Sequence, residues 1–203
     1  MLRTWLLAHH IERRWVLVAV GSWVALWGFA SITVPLKYPY EARGQVFDSG
    51  VVIGLLIPLA VMNLALDEGP ADLVRSAARR LTTTRIALIT GYLLTAALFS
   101  TAMAWAVALP IALVLADTLL LAGVNIAGNA LLGTRLGWLP AAATAFTMSA
   151  PGLVPFEANL LYNRDVSSTF VIVIGATVVV AAAAYARAGA VGLLGRTSRA
   201  TPE

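Results

Sequence analysis

The sequence predicts an all-α, polytopic membrane protein with six transmembrane helices, and three observations lead to this prediction. Sixty per cent of the 203 residues are hydrophobic and only 12% are charged, which is too apolar for a soluble domain of this size. The chain contains long stretches almost without charge, of about the 20 residues that a helix needs to cross a bilayer. The arginines fall mainly in alternate gaps between these stretches.

The six spans are assigned from the uncharged stretches. One stretch, Ile86–Thr134, is 49 residues long with a single charge at Asp117, and Pro110 divides it into two spans. Because no gap between spans is long enough to fold alone, residues 1–203 are predicted to form one transmembrane domain. The chain has no cysteine, so disulfides and thiolate metal sites are excluded. The four spans without any charge are Trp15–Leu36, Ser49–Leu66, Leu136–Phe156 and Val166–Ala186.

The basic residues predict that both termini are cytoplasmic. Eleven of the 14 lysines and arginines would then lie inside, in segments 1–14 and 67–85, the turn at Arg135, and the tail 187–203. This bias follows the positive-inside rule and predicts a multi-pass protein of the cell membrane. The three basic residues on the outer side are Lys37, Arg43 and Arg164.

Residues 1–14 are predicted to form an amphipathic helix that lies along the inner interface and leads into the first span. Trp5, Leu6 and Ile11 represent its apolar side. His9 and His10 are adjacent, so on a helix they point about 100° apart and do not predict a metal pair.

The segment Asp67–Arg85 is predicted to contain a short amphipathic helix on the cytoplasmic side. Pro70 suits a first helical position and Gly69 can cap it. Two interpretations remain open, namely a helix that lies on anionic lipid and a helix that docks in the groove of a partner protein. An alanine-rich apolar stripe favours docking. The stripe residues, which recur at helical spacing, are Leu73, Val74, Ala77, Ala78 and Leu81.

This layout resembles the ABC-2 type transporter permease, the transmembrane subunit of an ABC exporter. The segment LDEGPADLVRSAARRLTTTRIAL is similar to that family's coupling region, where an acidic residue and a glycine precede a helix and a Ser/Thr-Arg step opens span three. Pro151, Gly152 and Pro155 break span five, and Phe156–Ser168 resembles the short outer re-entrant helices of the family. By this resemblance, the residues that couple to the ATPase and meet its surface are Glu68, Gly69, Leu73, Ala77, Leu81 and Arg85.

The resemblance implies a translocation path formed with a second six-span subunit, the same or homologous, and an amphiphilic substrate. The chain has no Walker sequence and its only lysine is Lys37, so ATP hydrolysis is expected on separate ATPase subunits that bind ATP and Mg²⁺. This chain is expected to bind no cofactor or metal and no nucleic acid, and to contact membrane lipids. Two alternatives remain: a non-transport membrane immunity or scaffold protein that binds its target in the bilayer, and an intramembrane enzyme, for which no catalytic motif is found.

Asp117 is the one ionisable residue inside a predicted span, and Asn125 and Asn129 continue the polar character along the same helix. A central aspartate costs roughly 2.5–3.5 kcal/mol to insert, so it should face protein or water. Three roles are open, namely helix packing, contact with a translocated substrate and a proton relay. Small residues on the same face favour packing, which predicts that Asp117→Asn leaves stability and transport nearly intact.

Overall fold

The computed structural model describes residues 13–31, 49–68, 81–150, 153–162 and 167–189, and every regular element within these ranges is helical. The all-α prediction is confirmed for them. Most of the predicted entry helix 1–14, the centre of the predicted loop helix 67–85 and most of the tail 187–203 lie outside the described residues.

The described residues form seven α-helices and two short 3-10 turns. The 3-10 turns are Asn63–Leu66 and Phe156–Ala158. The predicted outer helix spans Phe156–Ser168. Among its described residues, the helical ones are the second 3-10 turn and Ser168, where the last helix begins. The α-helices are α1 (Arg13–Ser31), α2 (Ser49–Gly54), α3 (Leu56–Met62), α4 (Leu81–Ala106), α5 (Ile111–Leu132), α6 (Leu139–Ser149) and α7 (Ser168–Ala188).

Three helices among the described residues are long and apolar enough to cross a bilayer. They are Thr82–Ala106 of α4, Ile111–Leu132 and Ser168–Ala188, with mean hydropathies of 1.8, 2.0 and 2.2. These helices correspond to predicted spans three, four and six. The division at Pro110 is also found, because this residue has an extended backbone (ψ 103°) directly before α5.

Two predicted spans contain shorter helices than the sequence suggested. Span two is divided into α2, α3 and a 3-10 turn. Because Pro58 has no amide N–H, the carbonyl of Gly54 loses its helical partner, and Leu55 separates α2 from α3 although its own backbone stays helical (φ −58°, ψ −25°). Span five contains only the 11-residue α6. Pro140 lies in its first turn, and Ala150, which precedes Pro151, is extended (ψ 121°) and ends the helix.

Span one is helical from Arg13 to Ser31, and the rest of it lies outside the described residues. The described part of the chain therefore supports a helical protein with three candidate membrane spans, and it does not support the full count of six. A lack of charge predicts burial in lipid or protein, but it does not predict an unbroken helix.

Helix α5 is the central helix of the described bundle. Of an 18-residue apolar stretch of α5, 61% is buried, whereas 33% of the corresponding stretch of α4 and 22% of that of α7 is buried. It packs most extensively against α7, and then against α4 and α6. The C-terminal part of α5 is also closely packed. This is shown by Gly128, where a Cβ would overlap the carbonyl group of Gly137.

The described bundle is apolar outside and partly polar inside. Large hydrophobic side chains such as Leu98, Ile172 and Val180 are each more than 65% exposed. Buried positions instead include Asn125 and Asp117. This distribution is the reverse of that in a soluble protein and is the one expected where the exterior contacts lipid.

Candidate functional site

The two charged residues that bracket segment 69–80 bind each other. The Nε atom of Arg85 donates to Oε1 of Glu68 at 2.5 Å, and Nη2 donates to Oε2 at 2.7 Å. This is the bidentate geometry that makes arginine–carboxylate pairs strong and directional. The side chains of Arg85 and Glu68 are 9% and 4% exposed. The pair therefore fixes the positions of the two ends of the segment relative to one another.

The same guanidinium group binds the C-terminal end of α7. Its Nη1 atom donates to the carbonyl oxygens of Ala186 at 3.2 Å and Arg187 at 3.4 Å. The last carbonyls of a helix have no partner within the helix and carry its negative dipole end, so a cation is favoured there. Gly189, the residue directly after α7, has φ +66°, and a Cβ on it would overlap Arg85 and Glu68. This position therefore requires glycine.

Tyr185 provides a second link between the same elements. Its hydroxyl group donates to the carbonyl oxygen of Leu66 at 2.5 Å, and its side chain is fully buried. The 3-10 turn before segment 69–80, the start of α4 and the end of α7 are thus joined at one place. We call this place the loop-base junction, and it consists of Glu68, Arg85, Tyr185 and Gly189.

The junction contains only part of the predicted coupling site. Glu68 and Arg85 are described, as is the backbone of Leu81, which begins α4. Gly69, Leu73 and Ala77 lie outside the described residues. The resemblance predicted that Glu68 and Arg85 contact a partner. In this structure they bind each other and α7.

Tyr185 and Gly189 are functional candidates that the sequence pattern did not identify. A glycine directly after the last residue of a helix is nevertheless a recognised signal for a left-handed cap.

Asn125 and Asn129 join a second buried polar cluster. Asn63 donates from Nδ2 to Oδ1 of Asn125 at 2.8 Å, and Asn129 donates from Nδ2 to Oδ1 of Asn63 at 2.9 Å. Asn125 donates from its own Nδ2 to the Tyr92 hydroxyl oxygen at 2.9 Å and to the Leu59 carbonyl oxygen at 3.2 Å. The cluster joins α3 and the 3-10 turn to α4 and α5. Amide groups that bond between helices in this way support a packing role.

Asp117 is buried on the same helix but is not part of this cluster. Its side chain has no exposure, and neither carboxylate oxygen has a hydrogen-bond partner in the part of the chain that the structure describes. The neighbouring Thr118 hydroxyl donates to the carbonyl oxygen of Val114 at 2.7 Å instead. A buried polar group without a partner costs about 1–3 kcal/mol. The described residues thus offer Asp117 no packing hydrogen bond, and helix packing, substrate contact and proton transfer all stay predictions for it.

Two buried polar groupings are thus present among the described residues, namely the loop-base junction and the asparagine cluster. Within these ranges there is no group of three or more histidine, aspartate or glutamate residues that could hold a metal ion. Comparison of the chain with protein-family models, with curated proteins and with solved structures finds no match.

Proposed function

We propose that this chain is the membrane-spanning permease subunit of an ATP-driven exporter and forms the translocation path with a second six-span subunit. The loop-base junction is the observation that carries this proposal. Segment 69–80, the predicted cytoplasmic helix, is bracketed by the two residues of a buried ion pair. The same pair binds the end of α7, so a force on the segment acts directly on a candidate membrane helix.

A continuous set of contacts extends from the junction into the bundle. Breaking a buried pair by removing one partner costs about 3–5 kcal/mol, so the pair should stay formed when the segment moves. Helix α7 packs along α5 more extensively than any other two described helices pack together. Helix α5 in turn carries Asp117. Movement of the cytoplasmic segment would therefore reach the buried carboxylate through packed helices.

The proposal includes six spans with both termini in the cytoplasm. The stretch from Ser49 to Leu66, including Leu55 between the elements, contains 18 residues, about 27 Å of helix, which approaches the roughly 30 Å hydrocarbon core. Span two can thus cross as a helix assembled from these consecutive elements. ATP and Mg²⁺ would bind to the partner ATPase subunits, and this chain would hold neither.

Co-purification from native membranes in mild detergent tests the proposal. We expect a nucleotide-hydrolysing polypeptide to accompany the wild-type chain. Leu73→Asp should remove it, because the substitution places a charge in the predicted apolar contact at a cost of several kcal/mol. Ser76→Asp is the matched control, since it adds the same charge on the predicted polar face, and it should retain the partner.

Two outcomes would contradict parts of the proposal. If Leu73→Asp retains the ATPase with undiminished affinity, segment 69–80 contacts lipid rather than a motor subunit. If no ATPase accompanies the wild-type chain, the permease role is rejected.

A further inference from the structure

A groove of about 380 Å³ lies between α1, the segment at Met62 and Ala65, and α4. Apolar side chains form almost all of its lining. Four of the lining side chains are aromatic. These four are Trp15, Trp23, Tyr92 and Phe99.

The aromatic walls of this groove are held in fixed orientations. The indole Nε1 of Trp15 donates to the carbonyl oxygen of Val61 at 3.1 Å, and that of Trp23 donates to the sulfur of Met62 at 3.4 Å. The rings of Trp23 and Phe99 stack with their centroids 5.6 Å apart and their planes at 20°. Rings fixed in this way line the groove instead of collapsing into it.

Gly91 keeps the middle of the groove open. It lies on α4 among the lining residues, and no heavy atom lies within 4 Å of the position that its Cβ would take. Glycine within a helix is less favourable than alanine. Close packing against another helix does not explain this glycine, because an added side chain would meet only open space.

The groove has the length of one leaflet and ends near two cations. Along α4 it extends from Ala87 to Phe99, about 18 Å of helix, and one leaflet of the hydrocarbon core is about 15 Å thick. On α1 its lining begins at Trp15, directly after Arg13 and Arg14. Both arginines are exposed. An apolar slot thus lies below a positively charged helix end.

We propose that this groove binds one acyl chain of an anionic phospholipid, from the leaflet in which α1 begins, with the phosphate at Arg13 and Arg14. Two arginines near a membrane surface should favour anionic over zwitterionic lipid roughly 30-fold, which corresponds to about 2 kcal/mol. The inference does not rest on the export function. It requires only that α1 begins at a membrane surface.

Native mass spectrometry of the full chain, with phosphatidylglycerol and phosphatidylcholine as probes, tests the site. Gly91→Leu should fill the groove and reduce retention of phosphatidylglycerol by about tenfold, equivalent to about 1.4 kcal/mol. Gly175→Leu is the matched control, because Gly175 also has no heavy atom within 4 Å of its Cβ position but lies on α7, away from the groove. Replacement of Arg13 and Arg14 by glutamine should remove the preference for the anionic lipid. Equal retention by the two glycine variants, or no preference in the wild type, would overturn the proposal.

A photoreactive residue at position 95 identifies the occupant directly. Thr95 is exposed and lines the groove, so a probe there should capture phospholipid. Capture of residues 1–12 or of a second copy of the chain, without lipid, would show that a protein segment fills the groove and would overturn the proposal.

Discussion

At the scale of single residues, Gly189 determines whether the loop-base junction can form. Its backbone (φ 66°, ψ −170°) lies in a region essentially restricted to glycine and costs a residue with a side chain roughly 1–3 kcal/mol, and a methyl group there would also displace Arg85 and Glu68. We therefore expect Gly189→Ala to lower the thermal unfolding temperature of the purified protein. Gly175→Ala is the control and should raise it slightly, because alanine favours the helix and meets open space. Similar temperatures for the two variants would contradict the junction.

Asp117 and Asn125 lie two turns apart on α5 but are predicted to respond differently to substitution. Asn125→Leu should destabilise the protein by about 1–3 kcal/mol, because it leaves the buried Nδ2 of Asn63 without its acceptor and removes the hydrogen bond to the Tyr92 hydroxyl. Asp117→Asn should leave stability nearly unchanged, since it breaks no hydrogen bond among the described residues. If the proposed export function holds and Asp117 contacts the substrate or relays a proton, export should fall. Thermal unfolding and a transport assay separate these effects, and unchanged export in Asp117→Asn would support a packing role instead.

The buried polar residues could be predicted from the sequence, but their partners could not. Asp117, Asn125 and Asn129 stand out because they interrupt an apolar run. Helical periodicity places them on a face, but it carries no information about which helix covers that face. Asn63 lies 62 residues before Asn125 and Tyr92 lies 33 residues before it, so these contacts depend on tertiary packing.

At the scale of secondary-structure elements, the guanidinium group of Arg85 on α4 binds both Glu68, which follows the 3-10 turn Asn63–Leu66, and the end of α7. We expect Arg85→Gln to destabilise the protein by about 3–5 kcal/mol, because it leaves Glu68 buried without its cation. Exchanging the charges, with Glu68→Arg and Arg85→Glu together, should fail to restore stability. A carboxylate at position 85 cannot donate to the carbonyls of Ala186 and Arg187, and it would be repelled by the negative end of α7.

Thermal unfolding of the single and double variants measures this effect. Full recovery in the charge-exchanged protein would show that Arg85 acts only as the ionic partner of Glu68, independently of α7.

Prolines explain where the sequence predicted helices well and where it did not. Pro110 correctly divided the longest apolar stretch, and the break predicted at Pro151 agrees with the end of α6 at Ser149. Pro58 lies inside an apolar run, and its interruption of the helix at Leu55 was not anticipated. Hydropathy depends on side-chain transfer into lipid, whereas continuity of a helix depends on backbone hydrogen bonds.

At the scale of the whole molecule, the described helices form a bundle with an apolar exterior around a central apolar helix that carries buried polar side chains. Composition predicted the all-α class and the apolar surface, because both follow from the shortage of charge. The orientation inferred from the arginines remains a prediction. The loop-base junction could not be foreseen, because Glu68 and Arg85 carry the same charges whether they contact a partner protein or each other.

The central proposal is that segment 69–80 binds an ATPase subunit. Cross-linking from position 77 in intact cells tests this binding most directly. The chain has no cysteine, so Ala77→Cys provides a single thiol for a membrane-permeant cross-linker. We predict a cross-link to a nucleotide-hydrolysing polypeptide that disappears when Leu73→Asp is added and is absent from the control Arg43→Cys on the predicted outer side. A thiol at position 77 that is reactive but captures no such polypeptide would contradict the account.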